Sequence, residues 1–256
     1  MNNKKRIVIV GATSAMAEHC ARIWVQGVPG VSAKPADLTL LGRDATRIER
    51  VAADLRVRSQ ESTIDVVQAE FLDPVAIQAT VDKIVAAGAV DIVLIAHGSL
   101  PEQANCQNDL QANRDALDIN GISPVLYAEA FAKSMLHAGH GTIALIGSVA
   151  GDRGRKSNYV YGAAKGLVTR YAQGMQHRFA GTGVKVVLIK PGPTDTPMTA
   201  HLKGQGAKMA SVEDVARQIV NGIESGKTVV YAPGKWMLIM MIIRHLPTFI
   251  FNKMDI

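Results

Sequence analysis

Short apolar runs alternate with segments of helical period along nearly the whole chain. Runs at 6–10, 38–41, 64–67, 92–95, 142–146, 184–189 and 228–231 are apolar on both faces and read as buried strands. Between them, the segments 16–26, 45–58, 75–87, 110–136, 158–179 and 212–224 carry the helical period. Two helix starts are marked chemically: Asp73-Pro74 sets a cap before a proline, and Ser211-Val-Glu-Asp214 resembles a capping box. Two-sided apolar strands alternating with helices predict an α/β fold, a parallel sheet covered on both faces. Without an internal repeat, low-complexity segment or linker, residues 1–234 read as one domain.

The remaining 22 residues, 235–256, break the pattern. Trp236-Met-Leu-Ile-Met-Met-Ile-Ile243 is followed by Arg244-His-Leu-Pro247 and Phe249-Ile-Phe251, with Lys235 and Lys253 at the flanks. This tail is too short and too interrupted to span a bilayer. Two readings stand: packing against its own domain or a second subunit, or lying in a membrane interface as a peripheral contact.

Composition narrows the classes. Of the 256 residues, 20% are charged and 48% hydrophobic, values of a globular chain rather than a disordered one. A net charge of +6 points to anionic partners, either phosphorylated metabolites or lipid headgroups. Nucleic acid is set aside, since aromatics make up only 5% and no recognition module appears. Cys20 and Cys106 are isolated, which predicts reduced thiols in a cytoplasmic protein and no metal site. The polar start leaves no room for a signal-peptide core before the first apolar run.

Candidate chemistry centres on Tyr161-Gly-Ala-Ala-Lys165, with Ser148 upstream at the end of an apolar run and Asn120 before that. A phenol and an ammonium four residues apart share one helix face. A lysine so placed is expected to favour the phenolate, bringing proton exchange with a substrate oxygen toward neutral pH. Tyr161 is the tyrosine so equipped; Tyr127 and Tyr159 have no lysine four residues on.

At the N-terminus, Gly11-Ala-Thr13-Ser14-Ala15-Met16-Ala17 sits where the first strand turns into the first helix, a place for a dinucleotide pyrophosphate. Gly11 is the one glycine of such a loop, and the hydroxyls of Thr13 and Ser14 stand in as donors. Arg43 follows the second strand, where the adenosine ribose of a dinucleotide would lie. An arginine there suits a 2′-phosphate, so NADP(H) is expected over NAD(H). The alternative is a solvated arginine opening a helix that already carries Arg47 and Arg50.

On Gly11, Asn120, Ser148, Tyr161-x-x-x-Lys165 and Pro191-Gly-Pro-Thr-Asp-Thr196, the chain resembles the short-chain dehydrogenase/reductase family over essentially its whole length. The resemblance implies a doubly wound, seven-stranded Rossmann fold of three αβα layers, and a homo-oligomer. It implies that Tyr161 is the acid/base, that Lys165 binds the nicotinamide ribose and tunes the phenol, that Ser148 meets the substrate carbonyl and that Asn120 holds a relay water. Ala96, Gly98, Pro191, Gly192, Thr194 and Thr196 would border the cofactor. Ile95-Ala96-His97-Gly98 departs from the family's Asn-Asn-Ala-Gly. His97 is expected to be structural, with contact to cofactor or substrate as the alternative.

Arg153-Gly-Arg155-Lys156, Ser157-Asn-Tyr-Val-Tyr161, Met198-Thr-Ala-His-Leu-Lys203, Val230-Tyr-Ala-Pro233 and Arg244-His-Leu-Pro247 are more narrowly similar to bacterial polyprenylphosphoryl-2-keto-pentose (decaprenylphosphoryl-2-keto-ribose) reductases. That implies a lipid-linked keto-sugar substrate, at the cytoplasmic face of the membrane, and a flavin-dependent oxidase performing the first half of an epimerisation. Arg153, Arg155 and Lys156 would then meet the phosphodiester beside Ser148, unless they form an ordinary solvated loop. Two other functions remain open: a reductase of a soluble ketone, acyl thioester or lipophilic alcohol, and a non-catalytic dinucleotide-binding regulator.

Overall fold

The computed structural model describes residues 4–28, 30, 34–200 and 208–254. Its centre is a parallel sheet of seven strands, β1 (Arg6–Val10), β2 (Asp37–Gly42), β3 (Ile64–Gln68), β4 (Ile92–Ile95), β5 (Gly141–Ile146), β6 (Val184–Pro191) and β7 (Val229–Ala232), in the order β3-β2-β1-β4-β5-β6-β7. Parallel pairing forces crossovers, and these are the helices. The chain reverses direction between β3 and β4, so the ends of β1 and β4 diverge there and leave a crevice at the carboxyl edge.

The pleat divides the core in two. Ile7 and Ile9 of β1 face α1 (Ala15–Gln26), α2 (Ala45–Arg58) and α8 (Val212–Glu224). Val8 and Val10 face α3 (Pro74–Ala86), α6 (Ser123–Ala138) and α7 (Tyr159–Arg178). Both faces are covered, which is why the strands read as continuous apolar runs. Both marked helix starts are capped as expected: Asp73 accepts from the Val75 amide at 3.0 Å, and Ser211 accepts from the Asp214 amide at 3.2 Å.

The segment 110–136, expected as one helix, is divided. It comprises α5 (Leu110–Leu117), a π-helical turn (Asp118–Ile122) and α6. Pro124 is the physical cause at hand, because it has no N–H to give the Asn120 carbonyl in the i→i−4 ladder. The chain adds a short α4 (Gln103–Asn108), and the tail folds as α9 (Lys235–His245) and α10 (Thr248–Phe251). Among the described residues no helix is long and apolar enough to cross a membrane.

A buried ion pair joins the sheet to the turn after β5. Lys190, on β6, donates to Asp152 at the end of a 3-10 turn (Val149–Asp152), and their side chains are 5% and 2% exposed. The Tyr231 phenol donates to the other Asp152 oxygen at 2.9 Å, and burial with that bond pushes its pKa up to about 12. Removing one partner strands a charge in low dielectric. Asp152→Asn should therefore lower the unfolding free energy by about 3–5 kcal/mol in denaturant titration. A loss below about 1 kcal/mol would show the pair to be solvated.

Candidate active site

The carboxyl edge of the sheet gathers the predicted residues into two adjoining cavities. The first, about 470 Å³, lies over the β1 and β4 ends and is lined by Gly11, Thr13, Ser14, Ala15, Met16, Arg43, Arg47, Ala96, His97, Gly98 and Thr196. The second, about 280 Å³, is lined by Ser148, Tyr161, Arg155, Pro191, Gly192, Thr194 and Trp236, among others. Met16, Thr196 and Met198 border both, so a ligand can pass continuously from one to the other.

The first cavity depends on a close crossing. Gly11 has φ +86°, and a Cβ there would sit 2.6 Å from the His97 amide nitrogen. Only glycine fits both requirements. The amides of Gly11 and Ala12 are taken by the Leu41 carbonyl at 2.9 and 3.0 Å, which pins the turn. Ser14 caps α1 by position but its hydroxyl makes no cap bond. That hydroxyl and the first amides of α1 form a donor set suited to a phosphate.

His97 is held by a hydrogen bond and by ring packing. Its Nε2 lies 2.8 Å from the Ser123 hydroxyl, and its ring packs on Phe71 with centroids 4.5 Å apart. Burial first, then the charges of Lys165 and Arg43, lower its pKa to about 3. The ring is therefore neutral at working pH. It braces β4 and also forms part of the cavity wall.

Ser148 follows β5 and caps the 3-10 turn, its Oγ accepting from the Ala150 amide at 3.1 Å. One turn apart on α7, Tyr161 and Lys165 face the same place, with the Lys165 Nζ 5.8 Å from the phenol ring centroid. Lys165 is 3% exposed and donates to the Ile146 carbonyl at 2.9 Å. Burial lowers its pKa from 10.5 to about 8. For Tyr161 the expected lowering by lysine is not found, and the phenol is raised instead. Burial raises the phenol, and a hydrogen bond from the Ser148 hydroxyl pulls the other way.

Asn120 is fully buried in the π-helical turn. Its Oδ1 accepts from the Ser99 amide at 2.8 Å and its Nδ2 donates to the Ala116 carbonyl at 2.9 Å. A Cβ on Gly98 would lie 2.7 Å from that Oδ1 and 3.7 Å from the Lys165 Nζ, so Gly98, Asn120 and Lys165 converge.

The basic cluster separates. Arg153, expected to meet substrate, is committed to the tail instead. It donates to the Ile243 and Leu246 carbonyls at 2.6 Å each and lies 3.8 Å over the Phe251 ring. Lys156 is exposed and lines neither cavity, and Arg155 alone of the three is in the wall. The resembling segment 198–203 falls partly outside the described residues, at 201–203. Several wall residues were not foreseen from sequence, Trp236 among them. The Trp236 indole lies where a Cβ on Gly192 would come within 2.0 Å of its Nε1. No local pattern announces a contact between residues so far apart in sequence.

The short chain dehydrogenase family profile matches residues 5–206. The chain belongs to that family. It is an NAD(P)-dependent oxidoreductase. An uncharacterised oxidoreductase encoded in the mprA 5′ region of Streptomyces coelicolor is 29% identical over 98% of this chain and 96% of its own length. Another uncharacterised oxidoreductase, from Mycobacterium tuberculosis, is 30% identical over 97% and 96% respectively. The short-chain dehydrogenase of Sphingobium yanoikuyae, solved with NADPH, superposes with a TM-score of 0.79 at 20% identity, covering 98% of this chain and 96% of that one.

The pH dependence follows from Lys165. Its ammonium is present below about 8 and lost above. A ketone reduction that needs this charge and a protonated Tyr161 should lose kcat/KM as pH rises through about 8. A profile flat from about pH 7 to about pH 10 in stopped-time assays would separate the Lys165 charge from the reaction.

Proposed function

We propose that the protein reduces a ketone on a lipophilic, phosphate-bearing substrate with NADPH, and that a polyprenylphosphoryl 2-keto-pentofuranose fits the site best. Arg155 carries this reading. Its guanidinium lines the second cavity, and among the described residues its buried Nε has no hydrogen-bond partner. Burial lowers its pKa, yet a guanidinium stays charged. No carboxylate stands among the described residues lining that cavity. A desolvated cation without a counter-ion favours an anionic ligand. The other walls, Leu100, Val149, Met198 and Trp236, are apolar and suit an attached hydrocarbon.

The dinucleotide fits the first cavity on the donors of Thr13, Ser14 and the α1 amides, with Arg43 just after β2 and Arg47 on α2, on either side of Asp44, for a 2′-phosphate. When bound, its nicotinamide supplies the hydride. Ser148 would donate to the ketone oxygen and orient it, and Tyr161 would deliver the proton to the oxygen as negative charge develops there. Lys165 would steady the ribose and keep positive potential beside the phenol, while Asn120 holds the π-helical turn against Gly98 and Lys165. On a 2-keto-pentose this reaction completes an epimerisation whose first step is an oxidation of the class performed by flavin-dependent oxidases.

Oxidation of NADPH and, separately, NADH would be followed with the polyprenylphosphoryl 2-keto-pentofuranoside and with a neutral short-chain ketone. Tyr161→Phe should abolish turnover. Arg155→Met should raise KM for the phosphorylated lipid roughly 10- to 100-fold, one charge-assisted hydrogen bond, and leave the neutral ketone little changed. Equal losses on both substrates would assign Arg155 to structure, and turnover confined to the neutral ketone would make the substrate a soluble one. Arg43→Asp should shift preference toward NADH by at least about tenfold. Unchanged preference would place the 2′-phosphate elsewhere.

A further inference from the structure

Helix α9 is apolar on two opposite faces. Met240 is buried against the domain, and Trp236 and Ile243 lie half-buried on the same side. On the other side, Met237, Leu238, Met241 and Ile242 recur at i, i+1, i+4 and i+5 and are 56%, 58%, 54% and 61% exposed. Phe249, 70% exposed, and Ile250, 42% exposed, extend this apolar surface onto α10. Lys235, Arg244 and Lys253 are exposed around it, Arg244 with its guanidinium also reaching the Tyr231 phenol, and no carboxylate occurs between Lys235 and Met254.

We infer that α9 and α10 dock on an anionic lipid surface, with Leu238, Met241, Ile242 and Phe249 in the acyl boundary and Lys235, Arg244 and Lys253 among the headgroup phosphates. Apolar burial and cation–phosphate attraction act together at such an interface, and neither requires a spanning helix. Charge decides against a second copy as the occupant. A two-fold contact sets a patch on itself, so an all-cationic rim would face its own like charges. A lipid surface bearing phosphates neutralises them.

Two contacts hold this surface rigidly to the site. The guanidinium of Arg153 binds the carbonyls that end α9, and Trp236, at the start of the same helix, forms a wall of the second cavity. Docking would therefore bring that wall, on the inward face of the same helix, within about one helix diameter, ~10 Å, of the bilayer. The inference stands apart from the substrate reading, because a water-soluble ketone would leave the surface unchanged.

The test is co-sedimentation of the full chain with vesicles of phosphatidylcholine alone and of phosphatidylcholine with an equal part of phosphatidylglycerol. Binding to the anionic vesicles is expected, weakening with salt. Leu238→Gln with Ile242→Gln should reduce it by at least about tenfold without altering circular dichroism or the thermal midpoint. Lys235→Gln should reduce it roughly fivefold on anionic vesicles and little on neutral ones. Absence of wild-type binding to anionic vesicles would overturn the inference. So would a dimer in analytical ultracentrifugation that the double variant dissociates, since the face would then be an interface between copies.

Discussion

The ion pair of Lys190 and Asp152 ties together parts of the chain that the reaction needs in register. Asp152 closes the short turn that begins after Ser148. Lys190 immediately precedes Pro191-Gly192 at the second cavity, and Tyr231, the third member, leads into the β7 end and the tail. Burial of both charges means that neither can relax into water if the other moves. Ser148, the Pro191-Gly192 rim and the start of the tail are thus located by one set of contacts rather than by three independent loops.

Around that anchor, burial rather than charge pairing sets the electrostatics. Lys165, Arg155 and His97 are each pulled toward their neutral forms by desolvation, and Tyr161 is as well. For the imidazole this is decisive and leaves it uncharged. For the guanidinium it is not, because its ordinary value is too high. Lys165 falls between, close enough to working pH that its charge responds to small changes in surroundings. The second cavity therefore keeps a standing cation at Arg155, with the conditional one at Lys165 buried behind the phenol, while Arg43 and Arg47 share the first cavity's wall with Glu18 and Asp44.

What the sequence disclosed depended on the range of the contacts. All seven strands were legible because two-sided burial writes itself as continuous apolar runs, and the cap at Asp73 was legible because a cap is local. Tyr161 and Lys165 could be paired from helical spacing alone. Contacts between distant segments could not. The Tyr231–Asp152 bond spans 79 residues and the Arg153–Ile243 bond 90, so Arg153 resembled a substrate ligand until the tail was seen folded against it. The division of 110–136 had a local signal in Pro124, outweighed by the helical period on either side. Helical spacing predicts a lysine beside Tyr161 and hence a lowered phenol, but burial, which no spacing reports, raises it.

The tail shows the same limit from the other direction. Its run of apolar residues is compatible with burial or with a lipid interface, and only the folded helix separates the two sets of side chains. The inward set is used up by β7 and by the turn carrying Arg153. Among the described residues the outward set has no partner that its hydrophobicity would require, yet exposure of that many large apolar groups in water is unfavourable by roughly 25 cal/mol per Å². Exposed cations flank that apolar face, while the inward face of the same helix walls a cavity beside the catalytic residues, so one short helix serves two surfaces of different chemistry.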